Sequence, residues 1–507
     1  MKKLVLYFFI LSISVSISSC FSDETDKGHT QSPDTKLRTL DDIRKKSIGV
    51  LLGSLQDEYV TENFPGAKII RIDHSSDLAM SLQQGQCEAI LLDNVTSSYL
   101  MKENSEFAFL DDSVTQNTFA IGFQSDKKEL QGKFNEFLKE IRNNGVYNEI
   151  YNRWIKNSET SVMPAIENKG KNGIIHMGTT GESIPFSFVK NNIVVGFDIE
   201  LMYRFAAYMN MILDIKIFNF GGMLAALISN KIDLGANSIM VTEERAKQIL
   251  FSDGYFTTTS GMLALKSNLI DPGVNKVEKK SFFAKVKESF ENNILREKRY
   301  YLILDGLKVT FIITVLAAVF GTILGGLICA LRMSKRKSFR LTGKGYIGFF
   351  RGIPQVVFLM LMFYVIMAPF KTDGVTVAVI SFAMYFSAYV SEMFRTSIES
   401  IRKGQTEASL AMGFSKFKTF IYIILPQATQ RVLPVYKGEF ISLVKITAIV
   451  GYIAVLDLTK ASDIIRSRTF DAFFPLIMVA VLYFLLAWIL TLILDIIQIK
   501  TAPKRNI

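Results

Sequence analysis

"VTEERAKQILFSDGYF", residues 241–256, sets Glu243, Glu244 and Arg245 at the point where an apolar strand hands over to a helix. The segments before it alternate. GIIHMGTT (173–180) is a short apolar strand, VVGFDIELMYRFAAYMN (194–210) turns into an amphipathic helix, GGMLAALISNKID (221–233) is a second helix, and LGANSIMV (234–241) returns to a strand. Strands that alternate with helices pair in parallel, because the chain must cross back over the sheet before the next strand joins, so 172–266 reads as an α/β lobe. Taken alone, Arg245 reads as a helix-start ion pair with Glu243 or Glu244.

Downstream the solvent changes. The 507 residues are 49% hydrophobic and 12% aromatic, and the apolar ones crowd into 302–497. Residues 309–331 and 472–494 are charge-free runs of 23, each long enough to cross about 30 Å of hydrocarbon. Residues 346–370 and 374–391 also read as spans. A fifth, 433–456, contains Lys437, Glu439 and Lys445 and needs a position lined by protein rather than lipid. Between the first two spans lie Arg332, Lys335, Arg336, Lys337, Arg340 and Lys344 with no acid, whereas the loop after the fourth balances Lys460, Arg466 and Arg468 against Asp457, Asp463 and Asp471. The positive-inside rule puts the first of these loops in the cytoplasm, the N-terminal region outside, and the tail with Lys500, Lys504 and Arg505 inside. Much of the formal charge of +11 is therefore topological and not a nucleic-acid footprint. Ahead of the first span, 279–300 places Phe282, Phe283, Val286, Phe290 and Ile294 near helical spacing among charges, as an interfacial linker helix or a solvated linker does.

After the third span comes EASLAMGFSKFKTFIYIILP (407–426). Its apolar spacing, Gly413 as a break, a second helical stretch and a terminating Pro426 describe a helix-turn-helix beneath the membrane. Glu407-Ala408, Gly413, Ile424 and Leu425-Pro426 resemble the EAA loop of ABC importer permeases. With FFRGIPQ (349–355), SAYVSEMFR (387–395), KGQTEA (403–408), ILPQA (424–428) and EFISLVK (439–445), the likeness to the polar amino acid branch of that family runs through nearly all of 300–497. The resemblance implies an all-α membrane domain of five transmembrane helices over 301–500. It also implies that Glu407, Ala408 and Gly413 couple to a separate cytoplasmic ATPase through a helix-in-groove contact, and that two permease copies, identical or related, form one pore. Gly321 and Gly325 form a small-residue pair in the first span to which the resemblance assigns no role.

The exported half resembles the periplasmic amino-acid-binding proteins. PFSF (185–188), GFDIEL (196–201), FGGMLAAL (220–227) and the opening stretch follow the order of that family's first lobe. Its second lobe and C-terminal helices are matched upstream, in LDDIRKKSIGVLLGS (40–54), AMSLQQGQCEAILLDNV (79–95), FAIGFQ (119–124) and FNEFLKEIRNNGVYNEIYNRWI (134–155). The implied fold is an α/β clamshell of two lobes, 40–155 and 172–266, circularly permuted, which close termini make tolerable, with one covalent crossover between the lobes. Arg245 is then implied to clamp a ligand α-carboxylate and Asp93 to receive its ammonium group, so that binding favours lobe closure. Ser238, Gly53, Ser54 and Phe220 are implied pocket walls. Thr180, Ser183 and Met240 stand where the family has an aspartate, an aromatic and a hydroxyl, and Leu51 and Leu92 also make the pocket less polar. Gly196, Phe197 and Asp198 are expected to set a turn and cap a helix.

MKKLVLYFFILSISVSISSC (1–20) has the basic tip and apolar run of a secretory signal, and Ile17 to Cys20 resembles a lipobox, which implies lipidation at Cys20. With only Cys87 and Cys329 beyond it, no disulfide framework is available, and His29, His74 and His176 show no metal-ligand spacing. The expected protein is a multi-pass subunit of an amino acid ABC importer in the cytoplasmic (inner) membrane, with its L-amino acid receptor on the periplasmic or extracellular side. It is expected to be a transport subunit and not an enzyme: with no GxxxxGK[ST] loop it needs no cofactor of its own, and ATP is used by the partner ATPase. A ligand-gated channel of glutamate-receptor type is the alternative. TAIVGYIAV (447–455) lacks the final glycine of a potassium filter and lies in a full-length expected span, which counts against it.

Overall fold

The structure, a computed structural model, describes residues 36–157, 160–269, 282–370, 372–469, 471 and 473–501; the 1–20 segment and Cys20 lie outside the described residues. The lobe that begins the chain contains β1 (Ser47–Leu51), α1 (Leu55–Asn63), β2 (Lys68–Ile72), α2 (Ser75–Gln83), β3 (Ala89–Asp93) and α3 (Asn94–Glu103). Its strands pair in parallel, β1 with β2 and with β3, as the intervening helices require. The 17-residue β4 (Phe107–Phe123) leads to α4 (Lys128–Asn143) and α5 (Val146–Tyr151). The other lobe follows with β5 (Ile174–Thr179), β6 (Glu182–Ser183), β7 (Ser187–Lys190), β8 (Ile193–Val195), α6 (Phe197–Tyr208), β9 (Ile212–Ile217) and α7 (Phe220–Ile228). It ends with β10 (Leu234–Met240), the single turn α8 (Glu243–Ala246), β11 (Leu250–Phe251) and β12 (Phe256–Leu265).

One sheet joins the lobes in the order β2-β1-β3-β12-β4-β10-β5-β9. β12 pairs antiparallel with β3 as well as with β4, so two strands, not the single expected crossover, pass between the lobes. The cause is the alternation in the last strand: Met262 and Ala264 enter one buried cluster of the N-terminal lobe while Leu263 enters the cluster on the opposite face. The helices at 128–156 belong to the other lobe, where the fully buried Phe134 meets Phe205 edge to face at 5.2 Å. Glu200 holds them there. Its buried carboxylate accepts from Arg153 Nη1 at 2.5 and 2.7 Å, from Trp154 Nε1 at 2.7 Å and from Arg204 Nε at 2.9 Å.

The membrane half comprises α9 (Phe282–Phe290), α10 (Tyr300–Arg332), α11 (Lys337–Gly352), α12 (Gln355–Leu361), α13 (Gly374–Glu399), α14 (Lys403–Ala411), α15 (Lys416–Thr419), α16 (Leu425–Ile446), α17 (Leu458–Thr469) and α18 (Phe473–Thr501). Among the described residues three helices are long and apolar enough to span, Tyr300–Arg332, Gly374–Glu399 and Phe474–Ile496; two bent pairs bring the total to as many as five if each pair is one span. The expected span 346–370 is such a pair, bent by 104° between Lys337–Gly352 and Gln355–Ile366. Pro354 forces this break, since the residue before a proline leaves the helical region, and Ile353 sits at φ −105°, ψ 134°. The expected span 433–456 is also not a plain helix. Pro426 lies within a helical run that continues to Ile446 and does not terminate it, a 3₁₀ stretch covers Thr447–Ile453, and left-handed Ala454 ends it. Lys437 inside this run pairs with Asp495 on α18. The stretch after it, read as a loop, is the helix α17, with Lys460 and Arg466 buried.

Gly321 and Gly325 acquire a role in packing. A Cβ on Gly321 would lie 2.9 Å from the Ala383 carbonyl oxygen, and one on Gly325 would lie 2.9 Å from Val390, so both let α10 approach α13 closely. The receptor half rests directly on these helices: Lys231 Nζ donates to the Met367 carbonyl at 2.9 Å, and Tyr364 Oη donates to the carbonyls of Tyr452 at 2.6 Å and Gly222 at 3.3 Å. Removing the Glu200 carboxylate leaves two partly buried arginines without their acid, a loss of about 3 kcal/mol. Glu200→Ala is expected to lower the first thermal unfolding transition of the full chain by on the order of 10 °C, read by differential scanning fluorimetry.

Candidate functional site

A cavity of about 130 Å³ lies between the lobes. Of the residues named from the sequence, Ser54, Asp93, Thr180, Ser183, Phe220, Ser238, Met240 and Arg245 line it, as do Leu51 and Leu92. Gly53 does not line the cavity, but its carbonyl accepts from Arg245, which does. Arg245 is aimed by the α8 turn, which Thr242 caps by accepting from Arg245 N at 3.3 Å. Its guanidinium packs over the Phe220 ring at 5.2 Å, Nη1 donates to the Met240 carbonyl at 2.9 Å, and Nη2 reaches across the cleft to the Gly53 carbonyl at 2.5 Å. Neither Glu243 nor Glu244 takes this charge; both are exposed. Burial pushes the Arg245 pKa down from its usual range.

Asp93 ends β3 and caps α3, with Oδ1 accepting from Thr96 N at 2.9 Å. Burial raises its pKa, against the hydrogen bonds from Thr96 and Val95 that lower it. Ser54 caps α1 by accepting from Asp57 N at 3.1 Å, beside Gly53 at φ +67°. Ser238 and Ser183 bond to each other at 3.0 Å, and Thr180 Oγ1 donates to Asn237 Oδ1 at 2.7 Å. Ser238 sits at φ 45°, an uncommon backbone for a serine, which Asp198 holds by accepting from its N–H at 2.7 Å. Gly196 is the cap residue of α6, and Asp198 lies in its first turn, buried and bonded to Tyr255 Oη at 2.6 Å, with burial pushing its pKa up to about 6.

Several cavity residues escaped sequence reasoning, among them Asn237, His74 and Glu182. Glu182 Oε2 meets His74 Nδ1 at 2.8 Å across the cleft, and Oε1 accepts from Lys460 Nζ of α17 at 2.6 Å. Burial works to raise the Glu182 pKa, but Lys460 and His74 outweigh it and hold the carboxyl at about 2. Burial likewise opposes charge on His74, and the bond and charge of Glu182, with Asp463, outweigh burial and Lys460 to raise it above 6.5. No spacing signal links residues 74, 182 and 460, because the contact exists only after three separate segments have packed.

Comparison with known proteins now adds to this geometry. Residues 175–417 match the bacterial extracellular solute-binding proteins, family 3. A putative glutamine transport system permease protein of Rickettsia felis is 33% identical over 215 residues, which span 42% of this chain and 98% of that protein. The chain belongs to the amino-acid ABC transporter permease family. A probable glutamine ABC transporter permease protein of Bacillus subtilis is 31% identical over 188 residues, 37% of this chain and 87% of the relative. Among solved structures, the crystal structure of an amino acid ABC transporter with histidines is 32% identical, with a TM-score of 0.38, over 44% of this chain and 99% of that one.

This permease therefore joins an amino acid ABC permease domain to a solute-binding domain in one chain. On the side of the membrane helices away from the cavity's partners, Glu407 and Ala408 lie exposed on α14, and Gly413 turns the hairpin at φ +86°. Ser409 and Thr419 hydroxyls bond at 3.0 Å and pin its two arms. Met412 and Phe417 are 76% and 73% exposed there, an apolar tip that nothing in the chain covers among the described residues.

The pH dependence of lobe closure follows from the two shifts. His74 is raised, so its share is complete below 6.5 and fades as pH climbs through the raised value. Glu182 is depressed, so its share is complete above 4.5 and fades only as pH falls towards about 2. Pulsed dipolar spectroscopy between spin labels at exposed Lys68 and Lys171, one per lobe, is expected to show the lobes loosening as pH rises from 6.5 through the raised His74 value. His74→Gln removes that dependence.

Proposed function

We propose that this permease carries its own receptor and imports an L-amino acid across the cytoplasmic membrane, driven by a separate ATPase. The observation that carries the reading is a pair of partly buried opposite charges facing one cavity, neither of which forms an ion pair among the described residues, with Glu58 acting on Arg245 only from a distance. The Arg245 fork ends on two carbonyls rather than a carboxylate, and Asp93 is bonded to backbone and Thr96 alone. A buried charge is costly unless paired, and an amino acid zwitterion pairs both at once. The side-chain end of the cavity has Leu51, Leu52, Leu55 and Leu92 as apolar neighbours, in keeping with a ligand whose side chain carries no net charge.

The exposed α14–α15 hairpin supports docking of the cytoplasmic ATPase, with Glu407, Ala408 and Gly413 at the contact, and ATP is used by that partner. The receptor lies on the periplasmic or extracellular side, the C-terminus lies in the cytoplasm, and two permease copies build the pore, each a homodimer half or a half paired with a related chain. A ligand-gated channel is disfavoured by the 3₁₀ stretch Thr447–Ile453, where Val450 and Ile453 are buried in the helix bundle and do not line a filter.

Isothermal titration of the full chain in lipid nanodiscs against the twenty L-amino acids tests the receptor. At least one is expected to bind, and Arg245→Ala or Asp93→Asn to weaken it roughly a hundredfold or more, the usual cost of truncating one side of a buried charge pair. Binding that survives Arg245→Ala would sink the clamp. For the permease, Gly413→Val is expected to leave that binding intact while abolishing stimulation of the ATPase, because a β-branched residue does not adopt φ +86° without strain.

A further inference from the structure

Helix α17 touches both lobes at once. Lys460 reaches Glu182 on the β6 hairpin of one lobe, and six residues later Arg466 pairs with Asp77 on α2 of the other. Arg468, a further two residues on, bonds Tyr99 of α3 and Glu297 of the segment before α10. Lys460 and Arg466 are only 3% and 7% exposed, so each needs an acid beside it: Glu182 for Lys460, and for Arg466 both Asp77 across the interface and Asp463 on its own helix at 3.1 Å. A helix rises about 1.5 Å per residue, which fixes the two cations roughly 9 Å apart along its axis.

The base of this helix is built into the membrane domain. Leu458 N donates to Thr310 Oγ1 at 3.2 Å, Tyr483 Oη donates to Asp457 at 3.1 Å, and a Cβ on Gly306 would lie 2.7 Å from the Asp457 carbonyl oxygen. α17 thus moves with α10 and α18, while its cations are held by receptor residues from two lobes that a hinge separates. Glu182 belongs to both worlds: it lines the ligand cavity, and it is the acid for Lys460.

We propose that α17 is a ruler for lobe closure: Lys460 and Arg466 find Glu182 and Asp77 together only when the clamshell is shut, so the permease conformation and occupancy of the cavity are coupled through these two pairs. Opening the lobes separates Glu182 from Asp77 while the cations keep their spacing, so at least one pair must break. Seating of α17 therefore favours the closed receptor, and by reciprocity an occupied receptor favours the permease state in which α17 is seated. The coupling rests on the reading of the cavity as the amino acid seat, whereas the ruler itself concerns lobe geometry. Lys460 and Arg466 act as positioning residues, and neither is required to touch the amino acid.

The test uses the full chain in nanodiscs with spin labels at Lys68→Cys and Lys171→Cys. Without added amino acid, Lys460→Met and Arg466→Met are each expected to shift the distance distribution to longer separations, and the double variant to shift it no further than the larger single effect. Lys460→Arg, which keeps the charge, restores the short distance. By titration with L-glutamine and then the other nineteen L-amino acids, Lys460→Met weakens the tightest binder about tenfold, within the usual range of coupling between sites. Unchanged distances and affinity in both single variants overturn the ruler even if their melting temperatures drop, since that pattern is a static anchor. If the wild-type chain binds none of the twenty yet the distances shift, the ruler stands and the receptor reading fails.

Discussion

Burying a carboxylate between two lobes and a membrane helix is unfavourable until cations meet it, and Glu182 is where this chain meets that demand. Lys460 from α17 and His74 from the opposite lobe arrive from positions 278 and 108 residues away, and together they outweigh burial. Several larger contacts converge on this arrangement. The β6 hairpin is fixed relative to the membrane bundle, the N-terminal lobe is drawn across the cleft, and the walls bearing Arg245 and Asp93 come to share one cavity. An apolar group at the same point would seal the cavity without tying its closure to the helices below.

The two halves of the molecule meet different physical requirements and solve them by the same device. In the receptor, a buried acid such as Glu200 gathers Arg153, Arg204 and the Trp154 ring nitrogen and so joins the early helices to a lobe written later in the chain. In the membrane bundle, close approach replaces hydrophobic drive, since lipid is as apolar as the helices. There Gly321 and Gly325 admit the backbone of α13, and Lys437 finds Asp495 instead of hydrocarbon. Between them the contacts of Lys231 and Tyr364 with backbone carbonyls seat the receptor on the bundle, so the fused domain is an integral cap and not a tethered one.

Much of the site was legible because its parts are local. Arg245 stands in a turn whose cap, Thr242, is three residues away, and Asp93 ends a strand and starts a helix with its own side chain as the cap. Those local settings are short-range patterns, while the roles of the two residues at the site are what the resemblance to amino-acid-binding proteins implied. The failures are of another kind. The stretch after residue 456 balanced acids against bases and read as a loop, yet Lys460 and Arg466 are buried in α17 and Arg468 partly so, because their partners, Glu182, Asp77 and Glu297, lie far off in sequence. β12 was assigned to one lobe by its neighbours in the chain, while the side chains of its second half, Met262 to Ala264, fill the other.

By itself the sequence determined the local code: apolar runs long enough to span a bilayer, alternating strands and helices ahead of them, and a glycine-turned hairpin at 413. Period, length and capping settle these, since they act within a few residues along the chain. Only the tertiary structure decided that two strands cross between the lobes, that Pro354 folds an expected span back on itself, and that a charged helix rises from the membrane domain to hold both lobes. Those outcomes turn on which distant charge or apolar face is available to be buried, and that is known only once the segments have packed.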